Sequence, residues 1–414
     1  TVTDDVPFCA EAFTSEFQDG DGSITLNENV HISRLEHDMD KLGYDISSAR
    51  GWMEHIEQSD GPLCGVGAYT VLRCDAIYSK DKCNWKIWGL DFHMRRLCSS
   101  YRMLIENVNP DFDGETVALY EAESKQQTDD VMAALLEEAK MSLLKEELAK
   151  ETNGNDLEGK ELARTLMVTI LWKPPMIHPS SKECKSEIPI IRGHAAFAGA
   201  ARAKNSKEYS LSSPISACLA IASDPTPKAQ ALLPRRHSDD GSDQVQLVGA
   251  SAKVSSWCRI RRPLEEPTRF KIPENGVGEV LLVRQDKSRL NDEQNFIDSL
   301  EILEGLTSNL FVIYKDGTVR TAPAGTVLSG YARHLVMEGL NEFKELTLDD
   351  SNAPTVQDAK DGLWSEVFVT SAIRLIIPVN RVLIPSVGGI DSTTLWQSND
   401  GDQPCAHPLT RSIW

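Results

Sequence analysis

Positive charge is in short supply in this chain. Lys and Arg number 43 against 62 Asp and Glu, a formal net charge of −19. That balance argues against nucleic acid as a partner, because phosphate backbones are held by clustered cations. No apolar run approaches the roughly 20 residues that a membrane-spanning helix needs, so a soluble chain is expected. The nine cysteines are odd in number and include no Cys-x-x-Cys pair. Neither a disulfide framework nor a zinc site is expected, but free thiols in a reducing compartment, either the cytoplasm or an organellar matrix such as the plastid stroma or mitochondrial matrix. The nine histidines show no His-Glu-x-x-His or other metal spacing, so no metal is expected. No internal repeat is visible. The sequence opens on Thr1 and not Met, which fits a removed targeting peptide or a trimmed chain.

What is present suffices for two domains with cores of their own: 414 residues, 41% of them hydrophobic. Residues 1–58 read as an acidic helical extension, on the helical apolar spacing of Leu35 to Leu42 and Trp52 to Ile56. Within it, Gln18 to Glu28 has the outline of a calcium loop. With Gly22 at the sixth position, Asp19, Asp21 and Glu28 fall on ligand positions, but Phe17 at the first cannot ligate. A tight turn between helices is the expectation there. Residues 59–187 read as an α/β domain. It holds a strand from Gly65 to Arg73, a hairpin partner at Trp85 to Leu90, helices over 92–105 and 128–150, and a buried strand over 163–172. Residues 188–385 read as a second, strand-rich domain interrupted near 200–247 by a Ser-, Ala-, Pro- and Asp-rich insertion. Its strands are expected at 279–284, 309–314, 318–321 and 366–377, with a helix at 328–341. Residues 386–414 read as a polar tail.

Chemistry is concentrated in the second domain. The apolar run Ile302-Leu303-Glu304-Gly305-Leu306-Thr307-Ser308-Asn309-Leu310-Phe311-Val312 is broken by an acid, a glycine and small polar residues, then resumes. About twenty residues on, Gly330 opens the helix that begins Tyr331-Ala332-Arg333. Free N–H groups at a helix start suit a phosphate. A carboxylate together with a phosphate cradle is what pyridoxal phosphate requires: a charge partner for the ring nitrogen and an anion hole. With Gly67-Ala68-Tyr69-Thr70, His93-Met94-Arg95-Arg96-Leu97 and Ala252-Lys253-Val254-Ser255-Ser256-Trp257, these segments resemble the class IV, or fold-type IV, pyridoxal-phosphate enzymes. That group includes branched-chain and D-amino-acid aminotransferases and aminodeoxychorismate lyase. The likeness spans about residues 61 to 385, and its uncharacterised eukaryotic branch shows the most similar patterns.

The resemblance implies a two-domain α/β architecture, with a smaller N-terminal domain, a larger strand-rich C-terminal one carrying Lys253 and Glu304, and the cofactor in the crevice between them. It implies Lys253 as the Schiff-base lysine, with Lys204 as rival, and Arg96 as the phosphate arginine. A second His-x-x-Arg-Leu, His31 to Leu35, has no Gly-Ala-Tyr-Thr strand ahead of it. Glu304 would partner the ring nitrogen. Ser308, Asn309, Tyr331, Ala332 and Ser371 would complete the cofactor site, and Tyr69 would face the substrate. Relatives have threonine where Ala332 stands and, in the branched-chain group, tyrosine where Trp257 stands. The D-amino-acid enzymes have an arginine where Ile170 follows Thr169. Transamination of an amino acid and a 2-keto acid, in a homodimer, is the implied activity. Lyase chemistry on the same site is one alternative. An inactive relative serving as a structural subunit of a larger assembly is another.

Overall fold

The computed structural model describes residues 8–18, 24–35, 45–60, 67–79, 82–108, 114–152, 162–174, 190–203, 214–220, 231–232, 247–248, 252–261, 264, 277–285, 296–385, 392–398 and 408–413. The fold is mixed α/β and strand-rich. The chain forms two compact units. One comprises Thr1–Glu208, Leu232–Gln246 and Ala252–Cys258; the other comprises Tyr209–Ala231, Leu247–Ser251 and Arg259–Trp414.

The first unit is an antiparallel sheet backed by helices. Its strands are β1 (Cys9–Gln18), β2 (Ile24–Arg34), β3 (Ala68–Ser79), β4 (Lys82–Ile87), β5 (Leu162–Lys173) and β6 (Ile190–Ala203), in the order β2-β1-β6-β5-β3-β4. The helices are α1 (Ala49–Asp60), α2 (Leu90–Val108) and α3 (Gly114–Thr152). Side chains alternate across β3 with the period of two that a pleated strand imposes. Ala68, Leu72 and Cys74 pack with Leu97, Tyr101 and Ile105 of α2 and with Val131 and Leu135 of α3. Tyr69 joins Trp52, Met53 and Ile56 of α1 in a separate cluster. Truncating a fully buried member such as Leu72 to Ala should cost about 2–5 kcal/mol.

Here the expected helical extension is corrected. Most of its described residues are β1 and β2, which pair with each other and, through β1, with β6. Ile24, Leu26, Val30 and Ile32 already alternate with polar residues, a strand period that the helical spacing of Trp52 to Ile56 overshadowed. That helical spacing is α1; the other expected helix, Leu35 to Leu42, lies outside the described residues except for Leu35, which just follows β2. Asp19, Asp21 and Gly22, of the expected turn, also lie outside them, and the described elements on either side are strands, not helices.

Further along come the short elements β8 (Ala231–Leu232), β9 (Leu247–Val248) and α4 (Ser256–Ile260). The second unit's sheet uses β7 (Ile215–Ala220), β10 (Val277–Gln285), β11 (Leu300–Gly305), β12 (Asn309–Tyr314), β13 (Thr318–Arg320), β14 (Thr347–Asp349), β15 (Trp364–Ser371), β16 (Leu375–Pro385) and β17 (Ser392–Gln397). Its helices are α5 (Tyr331–Leu340), α6 (Val356–Lys360) and α7 (Pro408–Ile413). The strand order is β11-β10-β7-β16-β15-β12-β13-β14, with β17 on β16. One further pairing, Glu304 with Asn309, joins β11 to β12 and closes a ring of six strands. Leu281, Ile302, Leu310, Val312, Val369 and Ile377 share one core. Phe311, Ile313 and Phe368 face the other way, onto Val336 and Leu340 of α5.

Three expectations change in this unit. Part of the supposed insertion is β7, a strand parallel to both β10 and β16. The single strand over 366–377 is two, turning at 372–374, with Leu375 at φ 58°. No Gly, Pro or Asn marks that turn. The polar tail contributes β17, whose Trp396 is buried in the core, and α7, whose Thr410 donates its N–H and hydroxyl to Glu366.

Candidate functional site

Backbone pairing explains where Lys253 stands. Tyr69 donates its N–H to the Lys253 carbonyl (3.0 Å), and Ser255 donates its N–H to the Gly67 carbonyl (2.9 Å). Gly67 returns a bond to the Ser255 hydroxyl (2.9 Å). The segment thus extends the sheet at the start of β3. The Lys253 N–H is held in turn by the Ser100 hydroxyl of α2 at 3.0 Å. Tied to a strand and a helix, Lys253 places its Nζ 4.9 Å from the centre of the Tyr69 ring.

Arg96 reaches the same place from α2. His93, Arg96 and Ser100 lie three, four and seven positions apart, one face of a helix. The Arg96 guanidinium donates to the Thr70 hydroxyl at 3.0 Å. Burial pulls its pKa down to about 10, with the nearby Tyr69 phenol opposing. His93 is fully buried. Burial, then the positive charges of Arg96 and Lys253, push its pKa down to about 2, so the ring is neutral. Two cations far apart in sequence therefore act on one histidine. Desolvating a guanidinium is unfavourable and is offset when an anion is bound.

The second unit presents a different cluster. Glu304 is 2% exposed. Its carboxylate accepts from Asn309 Nδ2 at 3.1 Å and from the Leu328 N–H at 3.3 Å. Asn309 Nδ2 also donates to the Leu328 carbonyl at 2.8 Å. The helix α5 begins shortly after, at Tyr331. Its N-cap is Gly330, with no side-chain cap bond, so the first-turn N–H groups of Tyr331 and Ala332 point out of the helix start. A Cβ on Gly330 would meet Asn309 Oδ1 at 2.2 Å, so only glycine lets the helix start come this close to the Glu304 support.

The structure therefore brings Tyr69, Arg96 and Lys253 together in the first unit, and Glu304, Asn309 and the Gly330–Ala332 helix start together in the second. Lys253 belongs to the first unit's compact body, not to the strand-rich one expected for it. Ser308 turns its hydroxyl onto Glu279 (2.7 Å), as Thr307 does (2.9 Å). The Ser371 hydroxyl, at the end of β15, accepts the Arg374 N–H at 3.2 Å. Lys204 lies outside the described residues, and His31 to Leu35 run along and just past β2, a strand and not a helix start. No metal-binding cluster occurs among the described residues. Sequence reading passes over the roles of Thr70, His93, Ser100 and Glu279. The helical spacing of His93, Arg96 and Ser100 is the available signal for two of them; nothing local marks Glu279.

No family model and no curated protein matches the chain. Solved structures do resemble it. The Escherichia coli branched-chain amino acid aminotransferase is 15% identical over 76% of this chain and 78% of that one, with a TM-score of 0.39. A fold IV-transaminase from Curtobacterium pusillum is 14% identical over 90% and 92%, at 0.40. A T.th. branched-chain amino acid aminotransferase with pyridoxamine 5'-phosphate is 14% identical over 99% and 93%, at 0.44. Likeness at this level concerns chain course alone, and no residue role follows from it.

Proposed function

We propose that this chain is a pyridoxal-phosphate-dependent aminotransferase of the fold-type IV kind, acting on an amino acid and a 2-keto acid. The observation that carries the reading is the convergence of Lys253, Tyr69 and Arg96 from three distant stretches of sequence. These residues fit the cofactor. A primary amine over an aromatic ring suits its aldehyde, and a desolvated guanidinium suits its phosphate. The buried, doubly hydrogen-bonded Glu304 suits a protonated ring nitrogen.

When bound, the cofactor supplies an electron-withdrawing ring that makes the substrate Cα–H acidic. The protein's part is positioning and proton handling. Lys253 would hold the aldehyde through its Nζ, and the same Nζ would move the substrate Cα proton. Arg96 would hold the phosphate; within the second unit, the helix-start N–H groups at Tyr331 and Ala332 and the Ser371 hydroxyl are groups of a kind that suits an anion. Ala332 contributes backbone only, having no hydroxyl. Glu304 keeps the ring nitrogen protonated, and Asn309 and the Leu328 N–H keep Glu304 oriented. Tyr69 covers the substrate side.

Borohydride reduction of protein saturated with pyridoxal phosphate, followed by peptide mapping, tests the assignment. A pyridoxyl adduct on the peptide containing Lys253 is expected, with yellow absorbance before reduction. An adduct on Lys204, or none, would overturn it. The reading also expects a homodimer, which sedimentation of the full chain measures directly.

A further inference from the structure

Arg96 is held by two neighbours that the proposed function leaves without a role. Thr70 and His93 are both fully buried. Thr70 Oγ1 lies 2.8 Å from His93 Nδ1, and Arg96 Nη2 lies 3.0 Å from Thr70 Oγ1 and 3.3 Å from His93 Nδ1. Donor chemistry settles the direction of every bond. A guanidinium nitrogen can only donate. The Thr70 oxygen therefore accepts from Arg96, and so does His93 Nδ1, to which the Thr70 hydroxyl can then only donate. That nitrogen, facing two donors, must be the bare one, which puts the ring proton on Nε2. The chain of bonds runs from Arg96 Nη2 to Thr70 Oγ1 to His93 Nδ1, with one tautomer throughout.

We propose that Thr70 and His93 are positioning residues that fix the Arg96 guanidinium in the geometry of a phosphate receptor, so that Arg96 is preset before any anion arrives. The inference rests on the reading of Arg96 as the phosphate arginine, and it adds how that residue is aimed. A flexible arginine loses rotamer freedom on binding; one already fixed by a buried relay loses less, and the difference appears as affinity. The relay also needs a neutral imidazole. A second positive charge beside Arg96 would reverse the Nδ1 contact from acceptor to donor and leave the Thr70 proton without its acceptor. The depressed pKa of His93, caused by burial and by the Arg96 and Lys253 charges, keeps the ring neutral.

Inorganic phosphate is the probe, titrated calorimetrically into the full chain. His93→Asn keeps an acceptor oxygen near the place of Nδ1; His93→Leu does not. Thr70→Ser keeps the hydroxyl; Thr70→Val keeps the shape without it. Phosphate should bind wild type, His93→Asn and Thr70→Ser with similar affinity, and His93→Leu and Thr70→Val about tenfold or more weakly, the scale of one lost charge-assisted bond. Should His93→Leu fail to fold by circular dichroism, the Thr70 pair carries the comparison alone. Pyridoxal, which lacks the phosphate, should form its Lys253 adduct equally in wild type and Thr70→Val, an equality that a general structural defect would not preserve. Equal phosphate affinity in all variants, or none in wild type, overturns the inference. A Lys253 adduct with equal phosphate affinities leaves the proposed function standing without it. Graded phosphate affinities with no adduct support the receptor and overturn the aminotransferase.

Discussion

At the scale of single residues, the second unit offers the sharpest test of packing. Gly330 has φ −79° and ψ 143°, angles that any residue adopts, so glycine is not needed there for conformation. It is needed for space: an added Cβ would lie 2.2 Å from Asn309 Oδ1. That oxygen cannot swing away freely, because the same amide donates to Glu304 and to the Leu328 carbonyl. Gly330→Ala should therefore destabilise by about 1–3 kcal/mol through overpacking alone, measurable as a shift of the urea midpoint at constant slope. It should also displace Asn309 from Glu304. Glu304→Gln probes the carboxylate itself. It keeps an acceptor oxygen but removes the charge proposed to hold the ring nitrogen protonated, so turnover should fall by more than cofactor affinity does. If Glu304→Gln loses cofactor yet keeps its rate per bound site, the carboxylate is structural.

Elements carry the first cluster more than any one residue does. The 252–258 segment is attached to β3 and the residue before it by three bonds, and one of them ends on a side chain, the Ser255 hydroxyl that accepts the buried Gly67 N–H. Ser255→Ala leaves that donor without its acceptor. A cost of about 1–3 kcal/mol is expected, together with slower borohydride-trappable reaction of pyridoxal phosphate at Lys253; thermal unfolding and adduct kinetics read the two effects. In this unit α2 and the β3–β4 hairpin are legible in the sequence because their periods are clean: α2 has helical apolar spacing and the hairpin lies ahead of it. The pairing of 252–258 with β3 is not legible, since that segment reaches its partner from almost two hundred positions away, and its sequence reads as a piece of the domain that follows it. For the same reason the Lys253 motif is visible while its tether to Ser100 is not. β1 and β2 escape because a short helical pattern nearby competes with their alternation. The turn before Leu375 has no turn residue to announce it. β7 is hidden because its six residues sit in a compositionally polar stretch, and only its neighbours β10 and β16 reveal it as a central strand.

Across the whole molecule, ionisation ties burial to stability. His93 and His194 are both fully buried, and their pKa values are pushed down, chiefly by burial, to about 2 and about 3. His194 sits against Trp52, ring centres 5.2 Å apart, and 3.1 Å from the Cys9 thiol. In the unfolded chain both imidazoles protonate near their ordinary 6.5. Below that pH the unfolded state binds more protons, so stability is present above 6.5 and is lost as pH falls toward the folded-state values. Each histidine should approach about 1.4 kcal/mol lost per pH unit. The thiols act in the opposite sense. Burial raises Cys9, Cys74 and Cys218 from 9.0 to about 12. Their contribution is whole below pH 9 and is lost as pH rises from there toward the folded-state values, by one proton per thiol. Unfolding free energy should therefore show a plateau between about pH 6.5 and 9, falling on both sides. The acid limb can be assigned between about pH 6.5 and 5, before carboxylates titrate. His194→Asn, uncharged at every pH, removes one proton from the difference between the states, so the slope of its acid limb should drop by about 1.4 kcal/mol per pH unit relative to wild type. A parallel limb in the variant would mean that His194 accepts its proton in the folded state, and the neutral Cys9–His194 pair would have to be abandoned. The imidazole resonance of His194, followed by NMR, should likewise stay unshifted down to about pH 5.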